Sequence, residues 1–227
     1  MVTAAKSLIA NSSVTDVWLL IQDDVFPYEL PDGVNFHVLN MSGQTWFRPN
    51  GPNMNSVFTV MAMIRAAYAE IFTDIDRVVS LDCDTVCVDD VDYLWEVDVN
   101  GKWIAANREQ LGTYKPYGPD YYNVGVCVYN LEQMRKDNAT KYLVDYINTT
   151  KLWCVEQDAF NSKPYMIADL PPRFNESAVT SYTDNPAIVH FASFGTNWRE
   201  LDKVPRREYA RKYEQMTWDE VMGLHNG

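Results

Sequence analysis

Cysteine, histidine and long apolar runs are all scarce in this sequence. Its 227 residues include four cysteines and three histidines, and no two cysteines form a Cys-x-x-Cys pair. This scarcity favours buried free thiols in a reducing, cytoplasmic compartment over a disulfide framework. No apolar run approaches the roughly 20 residues that cross a membrane, so we expect no transmembrane segment.

Basic residues are also few. The chain has 19 Lys and Arg against 31 Asp and Glu, which gives a formal net charge of −12. This balance argues against a nucleic-acid partner, because phosphate backbones bind basic surfaces. A phosphate-bearing ligand would need a metal ion or a local positive cluster. The sequence has no GxSxG, Walker or GxGxxG motif, so hydrolase, P-loop and dinucleotide functions lack support.

A hydrophobic content of 47% is enough for a full core, and no linker or repeat divides the chain. We therefore expect a single domain over residues 1–227. Apolar periodicity predicts helices over 3–12, 56–72, 132–149, 156–162 and 206–222, and strands over 17–21, 34–39, 78–81, 103–106, 123–131, 166–170 and 187–191. Alternating strands and helices predict an α/β fold with a mainly parallel, doubly wound sheet.

The segment DRVVSLDCDTVCVDD, residues 76–90, is the most informative stretch. An apolar run ends in Asp82 and Asp84, which alternation along a strand would point the same way, with Cys83 opposite. Adjacent carboxylates at the end of a buried strand repel each other, and Mg²⁺ or Mn²⁺ would relieve that repulsion. The alternative is an ordinary acidic exit from a strand.

His190 ends the apolar run Ala187–Val189, at the carboxyl end of a predicted strand. Its imidazole could ligate the same cation, or it could be a half-buried histidine bonded to the backbone. Arg65, inside an apolar helix, could pair with an acid or hold an anionic ligand.

Three further groups have both a functional and a structural interpretation. Asn123 opens a strand in which Gly125 marks a close approach by ligand or backbone, or a bulge. Glu156, Gln157 and Asp158 start a helix, where acidic residues also compensate the helix dipole. Aromatic Trp198 could stack on a sugar or simply pack in the core.

Taken in order, the helix with Arg65, then LDCDT, YYNVGVCVYNLEQMR, EQDAFN and HFASFGTNW resemble glycosyltransferase family eight. The resemblance spans nearly the whole chain. It implies the GT-A, Rossmann-like fold and retaining transfer of a hexose from a nucleotide sugar, usually UDP-linked, to a glycan, lipid or protein acceptor.

The resemblance also implies roles for residues. Asp82, Asp84 and His190 would hold Mn²⁺, with Mg²⁺ as the other choice. Gln157 would lie beneath the anomeric carbon, with Glu156 beside it as a catalytic pair. The residues that would contact the donor are Arg65, Asn123, Gly125, Asp158, Thr196 and Trp198.

The chain departs from the family in two places. Thr196 stands where a lysine usually clamps the diphosphate. The family's first strand, which contacts uracil, has no counterpart before the helix at residue 3, either because an upstream segment is missing from these residues or because the protein lacks that strand. Both departures favour an alternative function: a catalytically weak or inactive homologue that binds nucleotide or glycan without turnover.

Overall fold

The computed structural model describes residues 1–110, 118–179, 183–192 and 204–226. The helices are α1 (Val2–Ala10), α2 (Val60–Met63), α3 (Tyr68–Ile71), α4 (Leu131–Lys136), α5 (Ala139–Thr149), α6 (Glu156–Asn161), α7 (Arg207–Gln215) and α8 (Trp218–His225). The strands are β1 (Asp16–Ile21), β2 (Asn35–Asn40), β3 (Arg77–Leu81), β4 (Thr85–Cys87), β5 (Ile104–Arg108), β6 (Tyr122–Asn130), β7 (Ile167–Asp169), β8 (Glu176–Ser177) and β9 (Ile188–His190).

The strands form three sheets, with the orders β1-β2, β3-β6-β5-β7 and β4-β9-β8. Pairs β1/β2, β5/β7 and β8/β9 are parallel. Pairs β3/β6, β5/β6 and β4/β9 are antiparallel. The α/β class is confirmed, but the sheets are mixed rather than mainly parallel. The sequence hid this because buried strands of either direction give similar apolar runs.

Strand β6 lies at the centre of the largest sheet, and both of its faces are buried. Cys127 and Tyr129 pack into one core with helices α5 and α6. Val126 and Val128 pack on the opposite face against Leu94 and Phe174. Burial on both faces explains why this strand reads as a continuous apolar run.

Each of the three longest expected helices is interrupted. The first is divided into α2, a 3-10 segment at Ile64–Ala67, and α3. Between α4 and α5, Asn138 has a φ of 52°, and a residue in that left-handed region stops one helix before the next begins. The backbone after α7 is extended as far as Thr217. The side chain of Thr217 then begins α8 with a capping box.

A cavity of about 1040 Å³ separates the edge of β1 from the edge of β3. Consecutive residues of both strands line it, Val17–Leu20 and Arg77–Leu81. Since successive side chains alternate between faces, a lining of consecutive residues means that the cavity runs along the strand edges. Ala5 of α1 and Tyr68 of α3 also line it, and its far end reaches the Asp82–Asp84 turn.

All four cysteines are free; Cys83 is exposed, and Cys87, Cys127 and Cys154 are buried. The burial expected for most of the thiols is therefore found, whereas the reducing, cytoplasmic compartment stays a prediction. Within the described ranges, no helix has both the length and the apolar character needed to cross a bilayer.

Candidate active site

Asp82, Asp84 and His190 meet at one end of the cavity. His190 Nε2 lies 3.3 Å from Asp84 Oδ1 and 3.6 Å from Asp82 Oδ2. One ligand atom from each residue can be chosen so that all three lie within 4.8 Å of one another. The β4/β9 pairing sets this arrangement, because Thr85 is the register partner of His190.

A turn, rather than strand alternation, brings the two aspartates together. Strand β3 ends at Leu81, and Thr85 N and Oγ1 both donate to Asp82 O, at 3.1 and 2.7 Å. The turn is fixed at its start by Asp82 N, which donates to Gly125 O at 2.7 Å. Asp82 and Asp84 are therefore close together, as expected, but the expected cause is wrong. The two residues lie in a turn and do not share a face of one continuous strand.

The charges of this trio are strongly coupled. Burial raises the pKa of Asp82, and the Asp84 charge adds to that, against the opposing effect of Arg65. Burial also acts to raise the pKa of Asp84, but the attraction and hydrogen bond of the His190 ring hold it below its usual value. Burial alone would lower the pKa of His190, yet Asp84 and Asp82 together raise it.

Arg65 connects this trio to the start of α6. Its Nη1 donates to Asp82 Oδ1 at 2.8 Å and to Val124 O at 2.7 Å, and its Nη2 donates to Glu156 Oε1. Although its burial disfavours the charged form, Asp82 and Glu156 raise the pKa of Arg65 well above its usual value. Arg65 is thus held by protein groups while it also lines the cavity.

Glu156 offers an oxygen that the fold leaves unused. Its side chain is only 3% exposed, and Oε2 has no hydrogen-bond partner among the described residues. Burial raises the pKa of Glu156, and Arg65 opposes that shift. Glu156 is among the residues that line the cavity, and its buried Oε2 is an acceptor that none of the described residues satisfies.

The backbone before Glu156 is strained. Val155 has a φ of 40°, a region that β-branched residues rarely adopt and that costs about 1–3 kcal/mol. Asp158 Oδ2 stabilises this bend by accepting from Trp153 N at 2.7 Å and Cys154 N at 2.9 Å, and its Oδ1 accepts from the Tyr121 hydroxyl. Asp158 therefore stabilises the loop before Glu156 and is not among the residues that line the cavity.

Gln157 and Asn123 line the cavity, but their amides are largely engaged. Gln157 Oε1 accepts from Val124 N at 3.1 Å, and its Nε2 donates to Tyr121 at 3.2 Å. Asn123 Oδ1 accepts from Gly125 N at 2.9 Å, while its Nδ2 donates to Glu109 at 2.9 Å. Contact of either residue with a donor sugar stays a prediction.

Gly125 provides room for the His190 ring. A Cβ at Gly125 would lie 2.1 Å from His190 Cε1 and 2.7 Å from its Nδ1. The β5/β6 register shifts here, from Ala106 opposite Cys127 to Asn107 opposite Asn123, so β6 bulges next to the site. The close approach is by a side chain of the protein, and Gly125 is not among the residues that line the cavity.

Thr196 and Trp198 lie outside the described residues, so the contacts expected of them stay predictions. Two residues that the sequence did not reveal, Glu109 and Asn175, reach the site through hydrogen bonds to Asn123. No sequence signal could have found them, because both lie in irregular segments whose place depends on the fold.

The donor set fits a divalent cation. Two carboxylates and one imidazole match the oxygen and nitrogen ligands that Mn²⁺ accepts, and Mg²⁺ also binds carboxylates. Asp82 and Asp84 retain net negative charge when His190 is neutral, since Arg65 is shared between Asp82 and Glu156. A cation would offset both the burial and the Asp84 charge that raise the pKa of Asp82.

Comparison with known proteins places this arrangement in context. Residues 4–201 match the sequence model described as Glycosyl transferase family 8. General stress protein A of Bacillus subtilis is 26% identical over 199 residues, covering 74% of this chain and 69% of that protein. Glycosyltransferase GlyE of Streptococcus pneumoniae is 26% identical over 247 residues, covering 97% of this chain and 59% of its own length.

Solved structures show the same fold. The GlyE crystal structure superposes with a TM-score of 0.76 at 19% identity and covers 98% of this chain, which spans 58% of the GlyE chain. The structure of the galactosyltransferase LgtC with donor and acceptor sugar analogs superposes with a TM-score of 0.58 at 18% identity, covering 85% of this chain and 80% of LgtC. The fold is GT-A.

Proposed function

Because this chain belongs to glycosyl transferase family 8, we propose that it is a retaining glycosyltransferase that moves a hexose from a UDP-sugar to an acceptor hydroxyl in a Mn²⁺-dependent reaction. The observation that carries the proposal is the meeting of Asp82, Asp84 and His190 in the lining of a cavity that Glu156 also lines. A negatively charged protein can bind a negatively charged donor only through such a local site.

Asp82, Asp84 and His190 are the residues that would hold the cation. With a divalent cation held there, these residues would place positive charge beside the leaving diphosphate, where negative charge develops. His190 would contribute its neutral imidazole through Nε2, which lies 3.6 and 3.3 Å from the nearest oxygens of Asp82 and Asp84. Arg65 opposes the rise that burial causes in the pKa of Asp82, and its 2.8 Å hydrogen bond holds the carboxylate in place.

Glu156 and Gln157 would bind the sugar. Glu156 Oε2 is buried and unpartnered, and a sugar hydroxyl that donates to it would satisfy an acceptor that otherwise costs stability. Gln157 is positioned by Val124 N and Tyr121. An amide held in this way is a weak nucleophile, so it suits contact with the sugar better than covalent attack.

Retention follows if the acceptor and the leaving group use the same face of the sugar. The bond from C1 to the phosphate oxygen breaks, a bond from the acceptor hydroxyl oxygen to C1 forms, and the hydroxyl proton passes to the departing phosphate. Arg65 and Glu156 stay hydrogen-bonded to each other, which limits Glu156 as a nucleophile.

A donor panel tests the proposal. UDP-glucose, UDP-galactose and their N-acetyl forms would be incubated with the protein and Mn²⁺, and UDP release would be measured against the same reactions with EDTA. We expect one donor to release UDP in a Mn²⁺-dependent manner, and Asp84→Asn to lose that release. UDP binding without release from any donor would instead support a binding protein without turnover.

A further inference from the structure

The second ring nitrogen of His190 is held inside the protein. His190 Nδ1 lies 2.9 Å from Asn175 Oδ1, and both residues are buried, with 4% of each exposed. This contact lies on the side of the ring away from Asp82 and Asp84, which face Nε2. The contact by itself allows either tautomer, because an amide can present its oxygen or its nitrogen.

The hydrogen bonds of Asn175 continue beyond His190. Asn175 Nδ2 donates to Asn123 Oδ1 at 2.9 Å, and Asn123 Nδ2 donates to Glu109 Oε2 at 2.9 Å. The same Asn123 oxygen accepts from Gly125 N at 2.9 Å. Four side chains therefore form a continuous chain of hydrogen bonds, from Glu109 through Asn123 and Asn175 to His190.

Two groups other than the amides fix the direction in which this chain of hydrogen bonds runs from donor to acceptor. The Glu109 carboxylate can only accept, and the Gly125 backbone N–H can only donate. Both requirements turn Asn123 the same way, with its nitrogen toward Glu109 and its oxygen toward Gly125 and Asn175. Asn175 must then present its nitrogen to Asn123 and its oxygen to His190. His190 Nδ1 lies 2.9 Å from Asn175 Oδ1, whereas Nε2 lies 3.3 and 3.6 Å from the nearest oxygens of Asp84 and Asp82. The shorter contact favours the proton of a neutral His190 on Nδ1.

Asn175 is itself rigidly placed. Its backbone oxygen accepts from Gln110 Nε2 at 3.2 Å, and Gln110 Oε1 accepts from Ser177 N at 2.9 Å. Ser177 is the register partner of His190 in the β8/β9 pair. Asn175 and His190 are thus held at a constant separation by the sheet.

We propose that Asn175 and Glu109 are positioning residues that fix the tautomer and ring orientation of His190, so that the lone pair of Nε2 faces Asp82 and Asp84. The role in metal binding rests on the function proposed above, whereas the tautomer itself does not. Groups that orient a ligating histidine in this way typically change metal affinity about 10–100-fold when removed.

The first experiment measures the tautomer without any metal. Long-range ¹H–¹⁵N correlation spectra of the metal-free protein, recorded at increasing pH until the His190 ring is neutral, report which ring nitrogen carries the proton. We expect Nδ1–H for His190 in the wild type. A wild-type ring with its proton on Nε2 overturns the proposal without any need for a variant.

The variants distinguish an effect of Asn175 on the position of the His190 proton from an effect of Asn175 on packing. Asn175→Leu removes the acceptor, so we expect His190 to lose its preference for Nδ1–H. Asn175→Asp keeps an acceptor that cannot donate, so we expect Nδ1–H to be retained. Asn53→Leu is the matched control, because Asn53 is equally buried but bonds to Ile147 O, Thr150 O and Leu152 N away from the site. It should lower stability and leave the tautomer unchanged.

The second experiment measures Mn²⁺ affinity from the electron paramagnetic resonance signal of the free ion. We expect Asn175→Leu to weaken binding about 10–100-fold, Asn175→Asp to restore most of it, and Asn53→Leu to have little effect. Unchanged tautomer and affinity in Asn175→Leu would overturn the positioning role alone. A wild-type protein that shows Nδ1–H but binds no Mn²⁺ would overturn the proposed function instead.

Discussion

Replacing Gly125 by alanine should distort the site with a single methyl group. The added Cβ would lie 2.1 Å from His190 Cε1 and 2.9 Å from Nε2, far inside contact distance. His190 is buried on β9 and held by Asn175, so the ring cannot simply rotate into solvent. Overpacking of this kind costs about 1–3 kcal/mol. For a chain of this length, that corresponds to a melting temperature lower by about 2–12 °C.

Thermal unfolding in EDTA measures this cost without any metal, and Mn²⁺ titration then measures the loss of the site. Gly43→Ala is the matched control, because a Cβ at Gly43 meets nothing within 4 Å. It should change the free energy of unfolding by less than about 0.5 kcal/mol.

A double-mutant cycle identifies the ring as the cause. In a His190→Ala background the clash is absent, so Gly125→Ala should cost less there, with a coupling energy of about 0.5–3 kcal/mol. Equal costs in both backgrounds, or a Gly125→Ala protein as stable as wild type, would show that the His190 ring does not lie over Gly125.

Three further predictions concern the charges and a helix cap. Arg65→Met leaves the Asp82 and Glu156 carboxylates unpaired, so urea unfolding should show a loss of roughly 3–5 kcal/mol, and a smaller loss if Glu156→Gln is added. The folded-state pKa of His190 is raised, so its protonated form stabilises the metal-free protein fully below about pH 6.5. That contribution disappears as the pH rises through the raised value, and in metal-free His190→Gln this part of the pH dependence of stability should vanish. Thr217→Ala removes a capping box and should cost about 1 kcal/mol in thermal unfolding, whereas Thr217→Ser should cost less.

The cluster of Asp82, Asp84 and His190 could be predicted from the sequence because each of these residues ends or follows an apolar run. Strand ends are readable from apolar patterning, and Asp82, Asp84 and His190 each sit at such an end. The turn that contains Asp82 and Asp84 is not predictable in the same way. Strand β4 has only three residues, too few for an alternating pattern, so apolar patterning does not distinguish this turn from a continuous strand.

The sequence does not predict the residues that act on the site through hydrogen bonds. Glu109 and Asn175 lie 66 positions apart, and only the β5/β6 bulge and the β8/β9 register bring them to Asn123. The orientation of Asp158 could not be predicted either, because an acid in the first turn of a helix can face a ligand or cap a loop. A single domain over residues 1–227 stays a prediction.

Calorimetric titration of UDP tests the central claim, that Asp82, Asp84 and His190 form a metal centre for a nucleotide diphosphate. The titration would be run with Mn²⁺ and with EDTA, on the wild type and on Asp84→Asn. We expect UDP to bind the wild type with Mn²⁺ and to bind much more weakly with EDTA, and we expect Asp84→Asn to show only the weak binding while remaining folded. Equal UDP affinity in all four titrations would contradict the account.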